Sequence, residues 1–221
     1  MIDILYIDEY LCVINKTSGH VVHRTPGAGD SPVILQTLRD QLNTKIFPVH
    51  RLDRGTSGCL AFAFSSEAAK KLQASLQAET SVKKYMALCL GELAAEGVID
   101  RPLTNENKTK QIAVTKYKLL EIIKDYSLLE LQILTGRKHQ IRRHLSFLGH
   151  HIIGDVNHGK GWLNRKFREE YKFHRLFLHC NELSFLHPFT NDIVQIELGL
   201  AEELNHLLGQ LKLTCEQVDT A

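Results

Sequence analysis

The stretch "HRLDRGTSG", His50–Gly58, sets one carboxylate, Asp53, between Arg51 and Arg54 and closes on a Thr-Ser-Gly turn. Directly behind it, "CLAFAFS" is an apolar strand candidate, so Asp53 stands at the entrance to a core strand. A carboxylate near guanidinium groups has its ionised form stabilised. That makes it a poor general acid and suits it to work as a nucleophile or weak base. If the segment is extended, Arg51 shares a face with Asp53; Arg137 is another possible partner. The same residues read equally well as a structural Asp–Arg pair at a strand entrance.

Working outward, "IDILYIDEYLCVINK" alternates Ile2, Ile4 and Tyr6, then Leu11 and Val13, around a turn at Asp8-Glu9, and predicts a hairpin. A Gly/Pro/Ser-rich loop follows over residues 17–32, and Ile34, Leu38 and Leu42 then space a short helix. Past Asp53, "SSEAAKKLQASLQAE" predicts a helix capped by Ser65 or Ser66, and "VKKYMALCLG" a strand with Tyr85, Ala87 and Cys89 on one face. "YSLLELQILTG" reads as a half-buried strand with Leu129, Leu131 and Ile133 facing one way. Beyond it come a short basic helix, an antiparallel pair joined around Pro188, and a final helix carrying Leu204, Leu207, Leu208 and Leu211. These elements predict a single α/β (α+β) domain over residues 1–221, built on a mixed, mostly antiparallel sheet flanked by helices and loops.

The second informative stretch is "TGRKHQIRRH", Thr135–His144. Thr135 can cap a helix running from Arg137 to Leu148, with Ile141, Leu145 and Leu148 as its buried set. Lys138 and Arg142 would then share one face, and His139 and Arg143 another. The charge of the chain is divided to match. From Arg137 to Arg175 there are ten Lys/Arg against three Asp/Glu, whereas from Leu176 onward one lysine faces seven acids. A basic face of this kind fits phosphates, and an ordinary solvated amphipathic helix is the plainer alternative.

Other classes fit poorly. The five cysteines are scattered and odd in number, with no CxxC pair, which points to a reduced compartment and against structural zinc. The twelve histidines lack ligand spacings, although Asp155 with its neighbouring histidines leaves a metal-dependent hydrolase as an alternative. "PGAGDSP" is no phosphate loop, and "HRLD" is not followed by the remaining signatures of a kinase. No apolar run is long enough to span a bilayer, and the acidic start does not suit a targeting peptide. A cytoplasmic location, no membrane and no cofactor or metal are therefore expected.

Taken in order, "NKTSGHVVH", "HRLDRGTSG", "KKY" (Lys83–Tyr85), "TGRKHQIRRH", "HIIGD" (His151–Asp155) and "LFLHC" with "HPF" resemble the RluA-like pseudouridine synthases over nearly the whole chain. In appearance the chain is most similar to the bacterial transfer-RNA members. The resemblance implies isomerisation of uridine in structured RNA, tRNA above rRNA, by breaking the N1 glycosidic bond and rejoining the ribose through C5 without a cofactor. It implies Asp53 as nucleophile or base, Tyr85 against the uracil ring, Arg137 paired with the aspartate, and Arg51 filling the space left by the flipped nucleotide. Tyr85 read alone is as well a buried structural tyrosine. Arg54, Lys138, His139, Arg142, Arg143, Lys160, Arg165 and Lys166 are expected along the RNA, and Asn15, Lys16, Gly19, His50, Thr56, Gly58, Gly154 and Asp155 as motif residues of structural use. Thr17 and Cys180 depart from the family pattern, where proline and alanine are usual. No S4-like domain is expected ahead of the motif, and a monomer is. A non-catalytic RNA-binding or RNA-chaperone protein is the competing reading.

Overall fold

The computed structural model describes residues 1–22 and 33–216; residues 23–32 of the Gly/Pro/Ser-rich loop lie outside them. In chain order the elements are β1 (Asp3–Ile7), β2 (Leu11–Lys16), α1 (Ile34–Leu42), β3 (Phe47–Pro48), β4 (Ser57–Ala63), α2 (Ser66–Gln77), β5 (Val82–Leu90) and β6 (Glu96–Asp100). They continue as β7 (Leu103–Thr104), β8 (Lys110–Gln111), β9 (Val114–Ile123), β10 (Tyr126–Ile133), α3 (Gln140–Phe147), α4 (Gly161–Tyr171), β11 (Leu178–Leu186), β12 (Ile193–Glu197) and α5 (Glu202–Glu216). The mixed α/β class with a mostly antiparallel sheet is as the sequence predicts. The chain divides into two compact units, residues 1–83 with 180–199, and residues 84–179 with 200–221.

In the first unit the order is β1-β2-β4-β11, with β3 also on β4 and β12 on β11. The β1–β2 hairpin forms as its alternation predicts, with a bulge between Ile4 and Tyr6. β2 and β4 run antiparallel, and all seven residues of β4 are buried, which is why "SGCLAFA" reads as a continuous small and apolar run rather than an alternation. Ser65 caps α2 by accepting the Ala68 N–H at 3.0 Å, and Ala68, Leu72 and Leu76 bury its apolar side. β11 and β12 pair around Pro188 as expected.

In the second unit the order is β5-β10-β9-β6, with the antiparallel pairs β5–β10, β9–β10 and β6–β9, and β7–β8 form a separate small hairpin. β10 is buried from Tyr126 to Leu129 on both faces, not half-buried throughout. The Ser127 hydroxyl is tolerated there because it donates to Gly91 O (2.8 Å) and accepts from Leu93 N–H (3.2 Å). Leu204, Leu207, Leu208 and Leu211 are the buried side of α5.

The helix expected from Arg137 starts later. α3 begins at Gln140, after His139 in a left-handed conformation (φ 54°), and Leu148 is 41% exposed, outside the buried set. Thr135 does not cap it. Its hydroxyl accepts from Val114 N–H (3.0 Å) and donates to Gln140 Oε1 (2.7 Å), while the Gln140 amide donates to Val114 O (2.9 Å) and Thr115 Oγ1 (3.1 Å). These bonds tie the 135–140 loop to the start of β9, so the chain can turn helical only after the positive-φ residue.

Candidate active site

In the first unit the loop before β4 is fastened from beneath. Leu52 and Val49 are buried anchors, whereas Arg51 and Arg54 are exposed and Asp53 is half-buried between them. The Thr56 N–H donates to Asp53 O (3.0 Å), closing the turn. Under that turn Lys16, the last residue of β2, is fully buried. Its Nζ donates to Thr56 O (2.7 Å), Thr17 O (3.1 Å), and Asp53 O and Arg54 O (both 3.3 Å). A buried ammonium is tolerated only when so surrounded by acceptors.

The turn after Lys16 adds three more ties. Gly19 N–H donates to Arg54 O (2.8 Å), Ser18 Oγ donates to Gly55 O (2.8 Å), and Arg54 Nε donates to Gly19 O (3.2 Å). Thus "NKTSG" is a clamp on "HRLDRGTSG". Thr17, at the position where proline is usual, hydrogen-bonds His20 through its hydroxyl (2.8 Å) and keeps the clamp.

His50 and Gly58 frame the loop. Where the β3–β4 pairing stops at Pro48, His50 Nε2 accepts the Ala61 N–H (3.0 Å). Burial, aided by the charge of Lys83, pushes the His50 pKa down to about 3, so this acceptor stays neutral. Gly58 has φ +108°, and a Cβ there would lie 2.1 Å from Cys180 O, so no other residue fits. Cys180 is a buried filler at that contact.

In the second unit, Tyr85 lies in β5 opposite Leu131 and is 7% exposed. A ring on a strand paired with β10 at that register is fixed better than one on a loop. Arg137 sits in the loop before α3, half-buried, with its N–H on Gln140 Oε1 (3.1 Å) and its Nε on Ile112 O (2.9 Å). The rest of the guanidinium fork remains for other partners. Gln140 therefore organises the arginine, a role the sequence reading missed. Its only signal was an amide in an otherwise basic run.

Arg142 requires a correction. It is not on a phosphate-facing surface: its side chain is 7% exposed and donates through Nε and Nη2 to both oxygens of Asp155, each at 2.7 Å. The spacing of four from Lys138 suggested a shared exposed face, but Lys138 precedes the helix and pairs at 2.5 Å with Glu106 on the surface. Asp155 also accepts the N–H groups of Asn157 and His158 (both 2.9 Å). Burial alone would raise its pKa; the guanidinium and amides overcome that and hold it below the usual carboxylate range. With its oxygens so committed, Asp155 is a structural residue, and the hydrolase alternative loses its proposed ligand. Among the described residues no three His, Cys, Asp or Glu side chains group to hold a metal.

The remaining basic residues are more open. Arg143 and Lys166 are half-buried and Lys160 and Arg165 exposed, while His139 bonds the His158 ring (2.9 Å). Gly154 (φ +78°) brings the backbone against Arg175 O, where a Cβ would meet it at 1.8 Å. Asn15 reaches Asp3 Oδ2 at 3.3 Å on the surface of the hairpin.

Comparison with known proteins places these residues in a family. The model described as RNA pseudouridylate synthase matches residues 10–147. A protein of Vibrio cholerae named tRNA pseudouridine synthase C is 40% identical, covering 95% of this chain and 96% of its own. One of the same name from Haemophilus influenzae is 37% identical, covering 95% and 98%. Among solved structures, that of human RNA pseudouridylate synthase domain containing 4 aligns with a TM-score of 0.75 at 27% identity, covering 95% of this chain and 93% of that one. The chain belongs to the RNA pseudouridylate synthase family.

Proposed function

We propose that this synthase converts one uridine of a transfer RNA to pseudouridine, with residues 1–221 acting as one catalytic domain, as a monomer in the cytoplasm. The observation that carries the reading is the near-full-length likeness, at about 40% identity, to relatives named for tRNA. The reaction is an isomerisation: the bond from C1′ to N1 breaks, one from C1′ to C5 forms, and the C5 proton is exchanged for one on N1. No electrons leave the substrate, so neither a redox cofactor nor a metal is required by the balance.

Asp53 is the nucleophile or base in this reading. Its support is a half-buried residue on a loop whose backbone is held by Lys16 and Gly19, so that the carboxylate is carried on a fixed backbone. In this reading Tyr85 meets the uracil ring, Arg137 pairs with the aspartate, and Arg51 offsets part of the unstacking cost of the flipped base. Arg54, Lys138, His139, Arg143, Lys160, Arg165 and Lys166 meet phosphates. The test is to incubate the purified chain with pooled unmodified tRNA transcripts and map pseudouridine. One modified position is expected; no product from any transcript, with binding intact, overturns the reading in favour of a non-catalytic RNA-binding protein.

A further inference from the structure

Helix α4 carries an exposed indole on a rigid support. Leu163, Asn164 and Phe167 are its buried face. Asn164 accepts Gly154 N–H (3.1 Å) and donates to Asp155 O (2.8 Å), and Asp155 is locked to Arg142 of α3. On this frame Trp162, the chain's only tryptophan, keeps 57% of its surface in solvent. Burial does not account for it. Its neighbours along the chain are of one sign: from Val156 to Arg168 there are four Lys/Arg and no acid, and the first acid of the helix is Glu169, two turns on. Lys160 and Arg165, two residues before and three after, are exposed.

A flat aromatic face flanked by cations is complementary to a nucleobase with its phosphates, because every base offers a π-face and the backbone a charge at each residue. We infer that the first turn of α4 docks the RNA substrate at a base other than the reacting uridine: Trp162 stacks on an unpaired base, and Lys160 and Arg165 hold the phosphates beside it. This rests on the RNA reading above and adds to it a positioning contact. The rigid mount matters, since a platform already ordered pays little entropy when the base arrives.

The single tryptophan gives a direct test. The 221-residue chain is titrated with pooled tRNA transcripts while indole fluorescence is followed, with binding measured in parallel by filter retention. Quenching that saturates with binding is expected. In addition, Trp162→Ala should raise KM about tenfold at unchanged kcat, Trp162→Phe should restore most of it, and Lys160→Ala with Arg165→Ala should lower the salt dependence. Saturated RNA binding with no change in the indole, or an unchanged KM in Trp162→Ala, overturns the inference. So does an indole that responds to anionic vesicles or to protein concentration and not to RNA. The two proposals fail separately: quenching without pseudouridine sinks only the catalytic reading, and pseudouridine without quenching sinks only this one.

Discussion

Lys16→Met isolates what holds the aspartate loop. Methionine matches the length of the lysine stem but donates nothing, so the ammonium's bonds to four carbonyls vanish while the volume is kept. Arg54 O keeps the Gly19 N–H and Asp53 O keeps the Thr56 N–H. The bonds lost without such a second donor are those to Thr56 O at 2.7 Å and Thr17 O at 3.1 Å. The Thr56 bond is buried and costs about 1–3 kcal/mol when its acceptor is left short, whereas Thr17 is exposed and its carbonyl can take water instead; relief of the ammonium's own desolvation offsets part of the loss. The expected net loss is about 1–2 kcal/mol in urea unfolding followed by circular dichroism. In variant protein that remains folded, kcat should fall about a hundredfold, since a shift of about 1 Å in a reacting group has that effect. Stability within about 0.5 kcal/mol of the parent, together with full kcat, would refute the reasoning.

The two arginines of α3 should separate. Arg142→Ala is expected to cost about 3–5 kcal/mol by stranding Asp155, whereas Arg143→Ala should leave stability nearly unchanged and reduce the salt dependence of RNA binding by about one phosphate; equal unfolding midpoints for the two variants would contradict the burial argument. Gly58→Ala should prevent folding of the first unit or cost more than about 3 kcal/mol, because positive φ and the Cys180 carbonyl both oppose a side chain. An Ala variant with parental stability would be inconsistent with that approach. Acidification should destabilise the protein in two stages. His50 binds a proton near its ordinary 6.5 when unfolded but only at about 3 when folded, so stability declines as pH falls from 6.5 toward 3. Asp155, held below its ordinary 3.8, contributes stability that is present above that value and lost as pH falls through its folded pKa. His50→Gln keeps an acceptor for Ala61 and should flatten the first stage; a midpoint profile between pH 7 and 4 identical to the parent's would contradict the His50 argument.

The sequence made most elements legible because their signals are local. The β1–β2 alternation, the Ser65 cap and the apolar run of β4 each depend on residues within a few positions. The start of α3 was not legible, because Gln140 bonds to residues 25 and 26 positions earlier, and no helical periodicity encodes that. Arg142 was misassigned for the same reason: its partner is 13 residues away across a loop, while its spacing from Lys138 mimicked a solvent face. Lys16 was expected as a structural residue, but its bonds to the backbone of the Asp53 loop required the two motifs to be folded together. The motif letters singled out Asp53; the hydrogen bonds show how the backbone at that position is held.

The most direct measurement is pseudouridine formation by Asp53→Asn on the transcript the parent modifies, with folding and RNA affinity measured on the same preparation. Asparagine keeps the size and the backbone bonds to Lys16 and Thr56 but not the charge. Complete loss of product with unfolding midpoint and affinity unchanged is the predicted result. Product at the parental rate would contradict the assignment of the chemistry to this carboxylate.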